Sequence, residues 1–326
     1  MKYRLRFLVV FSLLVACRWS AGQELAERQT AIRDLAEKNG VTVTFDLPYA
    51  GTENPKQRVD LYLPKERKRP GPLPVVALIH GGGWVNGDRI GYGGLALQLA
   101  RTGDYAAVTV GYRLTNEARW PAQIHDCKAA IRWIRGMAAQ HGLDPDRIGV
   151  WGSSAGGHLC TLLGTSGGVK ELEGDLGPHL SQSSRVSCVV NHCGPQDFRE
   201  PLMRDPAGQP NFQDDAVSGL LGGLATEKVA EAVAASPITY VSADDPPIVT
   251  GHGTADARVA FAHAEMIHAA LKKAGVASWL IPVTGGGHGS VSHPVLKERC
   301  LTFLSKQLLG AEATIDESPI PAEPGK

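Results

Sequence analysis

The sequence predicts an α/β protein: a three-layer αβα domain with a mostly parallel sheet, helices on both faces and a lid-like insert. Three observations predict it. Near-continuous apolar runs at residues 75–79, 106–110, 148–151, 186–190 and 248–250 fit strands covered on both sides. Stretches with apolar residues three and four apart lie between these runs and read as amphipathic helices. Glycine-rich turns follow the runs, at the strand ends where open α/β sheets bind ligands.

From the N-terminus, Lys2, Arg4 and Arg6 precede a ten-residue apolar core at 7–16, too short to span a bilayer. Residues 1–22 therefore read as a signal peptide. Two cleavage readings stand: ordinary cleavage at Ser20-Ala21-Gly22, or a lipobox-like Leu14-Val15-Ala16-Cys17 in which Cys17 is lipidated. Either predicts a secreted or periplasmic protein, with membrane contact only through an anchor at Cys17. Residues 24–38 predict a helix with Leu25, Ile32, Leu35 and Ala36 on one face, stopped by Asn39-Gly40. Alternation predicts strands at 41–45 and 58–63 around a Pro/Gly-rich loop at 48–57.

A helix opens at Pro121 with Ile124, Cys127, Ile131, Ile134 and Ala138 on its inner face and closes at His141-Gly142. Helices at 259–273 and 294–308 follow the same pattern, the second with Leu301, Leu304 and Leu308 inward. About 57 residues separate Val190 from Ile248, helical near 226–235. We expect this insert, about 195–240, to form a lid or pocket wall; the alternative is an inert surface excursion. The catalytic domain is expected over 23–310, with a proline-rich disordered tail at 311–326.

Lys plus Arg (33) equals Asp plus Glu (33), which argues against nucleic acid as a partner. The basic run at 65–69, between Pro64 and Pro70, reads as a solvated loop. Beyond Cys17, Cys127, Cys160, Cys188, Cys193 and Cys300 are an odd set without a C-x-x-C pair, and most read as small core fillers. No cluster has zinc-ligand spacing, so no metal or cofactor is expected.

Four motifs carry chemistry. Gly152-Ser153-Ser154-Ala155-Gly156, between a strand and a helix, is a nucleophile elbow that presents Ser154 at a helix N-terminus. His80-Gly81-Gly82-Gly83-Trp84 follows a strand. Its side-chain-free backbone suits an oxyanion hole built from the amides of Gly82, Gly83 and Ala155, with Trp84 as a substrate contact. A phosphate-binding glycine turn is the rival, but there is no P-loop Lys-Ser/Thr and no G-x-G-x-x-G. Asp256, in Gly251-His252-Gly253-Thr254-Ala255-Asp256, is a carboxylate at a strand end, able to orient a histidine. Asp244 and Asp245 precede Pro246-Pro247 and fall at the wrong end. His288, in Gly285-Gly286-Gly287-His288-Gly289, is the expected base; its rival His293 sits in a helix start, and His80, His158 and His252 are expected to hold loops.

The order Ser154, Asp256, His288 is that of α/β-hydrolases. The motifs at His80–Asp88, Gly152–Leu159, His252–Val259 and Gly286–Gly289 resemble the esterase/lipase branch that includes hormone-sensitive-lipase-like carboxylesterases. In detail they are most similar to secreted bacterial acetylxylan/feruloyl-type esterases, over roughly residues 55–308. The chain departs from the hormone-sensitive-lipase pattern where Ser153 replaces an Asp. The resemblance implies hydrolysis of short acyl esters, acetyl or feruloyl groups on polysaccharide, through an acyl-enzyme. A formamidase- or peptidase-like amide hydrolase, a lipid or short-chain carboxylesterase, and a non-catalytic binding module are the alternatives. Polar insert residues Arg199, Arg204, Asp205, Gln209, Asn211 and Gln213 favour sugars over long alkyl chains.

Overall fold

The computed structural model describes residues 23–204, 210–211 and 214–322. The signal segment with Cys17 lies outside the described residues, as do Asp205, Gln209 and Gln213 of the insert. In chain order the elements are α1 (23–38), β1 (Val41–Pro48), β2 (Arg58–Pro64), β3 (Leu73–Ile79), α2 (Gly93–Ala100), β4 (Ala106–Val110) and α3 (Ala122–Gly136). There follow α4 (Ala138–His141), β5 (Leu143–Ser153), α5 (Ala155–Thr165), α6 (Lys170–Glu173), β6 (Cys188–His192), β7 (Met203–Arg204), β8 (Pro210–Asn211) and α7 (Asp215–Leu221). The chain closes with α8 (Val229–Ala235), β9 (Ile248–Gly253), α9 (Ala262–Lys273), β10 (Ser278–Thr284), α10 (Pro294–Leu309) and β11 (Ile320–Pro321).

Nine strands form one sheet in the order β1-β2-β4-β3-β5-β6-β9-β10-β11. Only β2 runs against its neighbours; from β4 to β11 every pairing is parallel. β3 shows why the run at 75–79 is continuously apolar. Val75, Ala77 and Ile79 face one core with Ile131 of α3 and Leu159 of α5, while Val76 and Leu78 face the other with Leu97 of α2 and Phe303 of α10. Each such buried aliphatic side chain contributes about 1.5–3 kcal/mol of transfer free energy. The five described cysteines, Cys127, Cys160, Cys188, Cys193 and Cys300, are buried and unbridged.

Three expectations are corrected. In α1, Ala36 is buried and Leu25 and Ile32 are half-buried, but Leu35 is 49% exposed. The inner face follows the series Leu25, Arg28, Ile32 and Ala36, and Leu35 lies off it. The expected helix at 259–273 begins at Ala262, because the amides of Arg258 and Val259 instead donate to Asp256 Oδ1. The expected disordered tail is ordered through residue 322: Ile315 and Ile320 are buried, and β11 pairs in parallel with β10. Two apolar anchors and the carboxylate of Glu317, which accepts from Leu280 N at 2.9 Å, outweigh the prolines.

Candidate active site

β5 ends at Ser153 and α5 begins at Ala155, so one residue makes the reversal. That residue, Ser154, has φ 55° and ψ −124°, a region that costs a non-glycine residue about 1–3 kcal/mol. Surrounding backbone holds it there. Its amide donates to His192 O at 2.8 Å, and its carbonyl accepts from His158 N at 2.9 Å. Glycine at 156 is obligatory, since a Cβ there would lie 2.1 Å from Ile79 O.

The turn after β3 packs against the elbow. Gly82 has φ +113°, and its carbonyl accepts from the amides of Val85 and Asn86 at 3.2 and 2.9 Å. Among the described residues, the amides of Gly82, Gly83 and Ala155 have no acceptor. His80 stacks on Tyr112 with centroids 4.2 Å apart, and its Nδ1–H donates to Gly81 O at 2.8 Å. Burial pushes its pKa down to about 4, so it is neutral. Asp88, the last residue of the His80–Asp88 motif, accepts from Gly91 N and from both Arg28 nitrogens, tying the turn to α1.

Trp84 is corrected. Its side chain is 2% exposed and packs edge-on against His158 and Phe198, so it anchors the turn from beneath and does not face a ligand. Its indole N–H donates to His158 Nδ1 at 3.3 Å, and His158 Nε2–H donates to Ala235 O at 2.7 Å. That fixes the neutral tautomer of His158, whose pKa burial lowers to about 4.

On the opposite side of the cleft, His288 Nδ1 lies 2.7 Å from Asp256 Oδ2. His252 Nε2 lies 3.1 Å from the same oxygen and 2.9 Å from Val259 O, so two histidines share one carboxylate oxygen while Oδ1 takes two amides. Burial pushes the Asp256 pKa up, but the hydrogen bonds from His252, His288 and the amides outweigh it and hold the carboxyl well below its usual range. His293 instead caps α10, its Nδ1 accepting from Val295 N. Asp245, pushed up to about 6 by burial, accepts from Ser242 in a turn before β9, far from the strand's other end.

Ser154 and His288 line one cavity of about 420 Å³, with Gly81, Gly82, Gly83 and Arg258 on its walls. Ala216 of α7 also lines it, so the insert does reach the cleft. No hydrogen bond joins the two side chains among the described residues, and such bonds often tighten only around substrate. Cys193, Asp256 and His288 place three donor atoms within 4.8 Å of one another and are the described residues best placed to hold a metal. They fit one poorly: the carboxylate is already saturated by donors, and burial pushes the Cys193 thiol far up, keeping its proton on.

Sequence reasoning missed the second ligand role of His252, although it stands four residues before Asp256 in the same motif. It also missed Tyr92, whose hydroxyl lies 2.8 Å from Ser153 Oγ.

With this geometry in view, the BD-FAE family profile matches residues 59–271. The chain belongs to the BD-FAE family. Its fold is the α/β-hydrolase fold. This BD-FAE member is similar to a truncated carbohydrate esterase from gut microbiota, 30% identical with TM-score 0.75, covering 82% of this chain and 96% of that one. It also resembles esterase Est2 of the planctomycete Thermogutta terrifontis, 27% identical with TM-score 0.64 over 82% and 92% of the two chains. Among curated proteins, Esterase LipC of Mycobacterium tuberculosis is 29% identical over 238 residues, 73% of this chain. The BD-FAE chain spans 58% of LipC's length.

Proposed function

We propose that the protein is a serine carboxylic-ester hydrolase acting on short acyl groups, acetyl foremost, carried by a carbohydrate. The observation that carries this reading is the 2.7 Å contact between His288 and Asp256 opening onto the cavity that also holds Ser154. Asp256 orients the imidazole with Nδ1 protonated, leaving Nε2 to take the Ser154 proton. Ser154 Oγ attacks the acyl carbon, and the Gly82, Gly83 and Ala155 amides, unused by the fold, donate to the oxyanion. His288 then protonates the departing alcohol, and water hydrolyses the acyl-enzyme by the same steps in reverse. The wall of three glycines, Val85 and Ala216 leaves room for a small acyl group and lacks the long apolar surface an alkyl chain needs. The names of the similar structures, a carbohydrate esterase among them, support the substrate class. The positive n-region and apolar core at 2–16 support export.

The test is hydrolysis of 4-nitrophenyl acetate, butyrate and octanoate, together with acetate release from acetylated xylan. We expect acetate to exceed octanoate by about tenfold or more in kcat/KM, as the small cleft requires. Octanoate outpacing acetate, with no acetate freed from any acetylated glycan, overturns the carbohydrate reading. Failure on all three nitrophenyl esters overturns the esterase itself.

A further inference from the structure

A second cavity, of about 430 Å³, adjoins the first and has no part in the chemistry above. The two share Ser153 and Val291, so they adjoin beside Ser154. Val291 and Ser292 belong to the short helix His288–Ser292, so the second cavity lies on the side of His288. In ester hydrolysis the alcohol oxygen receives its proton from the base, and the alcohol therefore leaves on that side. A volume in this range suits a small ligand's body.

Its polar edge is unbalanced. Tyr92, Ser153 and Ser292 offer hydroxyls, Gln98 an amide and Lys297 an ammonium. Lys297 Nζ donates to Gln98 Oε1 at 3.0 Å, which uses that amide's acceptor and leaves its N–H groups and the remaining ammonium hydrogens unspent. No carboxylate lines either cavity, whereas Arg258 lines the first and forms no ion pair among the described residues. Asp88 is paired with Arg28 and Asp256 with two histidines. His192, at the floor, is neutral, burial pushing it down to about 3. Trp151, 3% exposed and packed edge-on against His192, closes the cavity floor beside it.

Resting on the esterase reading, we propose that this cavity is the subsite for the alcohol part of the substrate, and that it selects a sugar bearing a carboxylate, a uronic acid, over its neutral counterpart. Lys297 meets the carboxylate, and Gln98 and the hydroxyls meet the ring oxygens. Ser153, on the wall the two cavities share, keeps its Oγ 2.8 Å from the Tyr92 hydroxyl.

Two measurements on the purified full chain test it. The first compares kcat/KM for mono-O-acetylated methyl β-glucuronoside and methyl β-glucoside. We expect about a tenfold preference for the uronoside, the scale of a hydrogen bond to a charged group, shrinking as salt is raised. Lys297→Met removes the preference and Lys297→Arg keeps it. The second measures binding of deacetylated methyl β-glucuronoside by calorimetry, which needs no turnover. Binding lost in Lys297→Met supports the subsite. Equal rates on the two sugars, or a preference untouched by Lys297→Met, overturns it while the esterase stands. Lysine-dependent binding without hydrolysis of any ester would sink the esterase reading and keep the anion pocket.

Discussion

Two glycine-rich turns face each other across the cleft, and their glycines serve different ends. On the nucleophile side they are contact points between backbones. A Cβ at Gly156 would lie 2.1 Å from Ile79 O, one at Gly152 2.4 Å from Gly156 O, and one at Gly82 2.2 Å from Asn86 O. On the His288 side, Gly285, Gly287 and Gly289 have nothing within 4 Å of a built Cβ, and only Gly286 meets neighbours, the side chains of Ser290 and Val283. The first side is held by close-packed main chain and a strained Ser154. The second is held chiefly by side chains converging on the Asp256 carboxylate, with one tight main-chain contact where a Cβ on Gly253 would lie 2.2 Å from Gly286 O. One half of the site therefore fails when shape is altered, the other when charge is altered.

The sharpest break of that contrast removes one proposed catalytic group from each half. Ser154→Ala and Asp256→Asn should each lower kcat by roughly 10⁴. On the proposed mechanism the first deletes the attacking oxygen and the second presents the wrong imidazole tautomer. Both variants should remain folded by circular dichroism. Full activity in Ser154→Ala with loss in Ser153→Ala would move the nucleophile one residue. Full activity in Asp256→Asn would transfer the orienting role to another carboxylate.

A smaller effect separates the turns by stability. Gly156→Ala forces the start of α5 away from the end of β3, where both contacts are buried main chain that cannot swing aside. We expect a loss of about 1–3 kcal/mol or more, seen as a lower urea midpoint. Gly287→Ala, at φ −87° with open space around it, should leave the midpoint unchanged. Equal losses at the two positions would erase the distinction.

The same distinction explains what could be read before any coordinates. Strand ends, helix faces and the placing of Ser154, Asp256 and His288 just past strand ends were legible because each is a local pattern: an apolar run, a period of three to four, a turn rich in glycine. Trp84 was misplaced because sequence adjacency to the glycine turn says nothing of direction. At φ 59° the chain turns the indole inward onto His158, a residue 74 positions on. The tail was misread because proline content argues against helices but not against a two-residue edge pairing anchored by Ile320. His252 looked like a loop holder, and it is one, but only the fold reveals that the group it holds is the oxygen bonded to His288.

Acid should separate the two halves as well, and in a definite order. Burial lowers His80, His158 and His263 to about 4 and His192 to about 3, and the first two support the nucleophile side directly. For each, the folded pKa lies below the unfolded value of about 6.5, so in the interval between them the unfolded chain binds more protons. Their contribution is therefore whole above about pH 6.5 and is lost as pH falls toward 4, at no more than about 1.4 kcal/mol per pH unit for each proton. Asp256 is also depressed, but from a lower starting value, so its contribution persists until pH falls below about 4. We expect the urea midpoint to drop between about pH 6.5 and 4 in both wild type and Asp256→Asn with similar slope, and the two curves to converge only below about pH 4. A midpoint flat across the upper window would mean that the buried histidines are not neutral ties beneath the nucleophile. Convergence already at about pH 6 would place the acid-sensitive link at Asp256 instead.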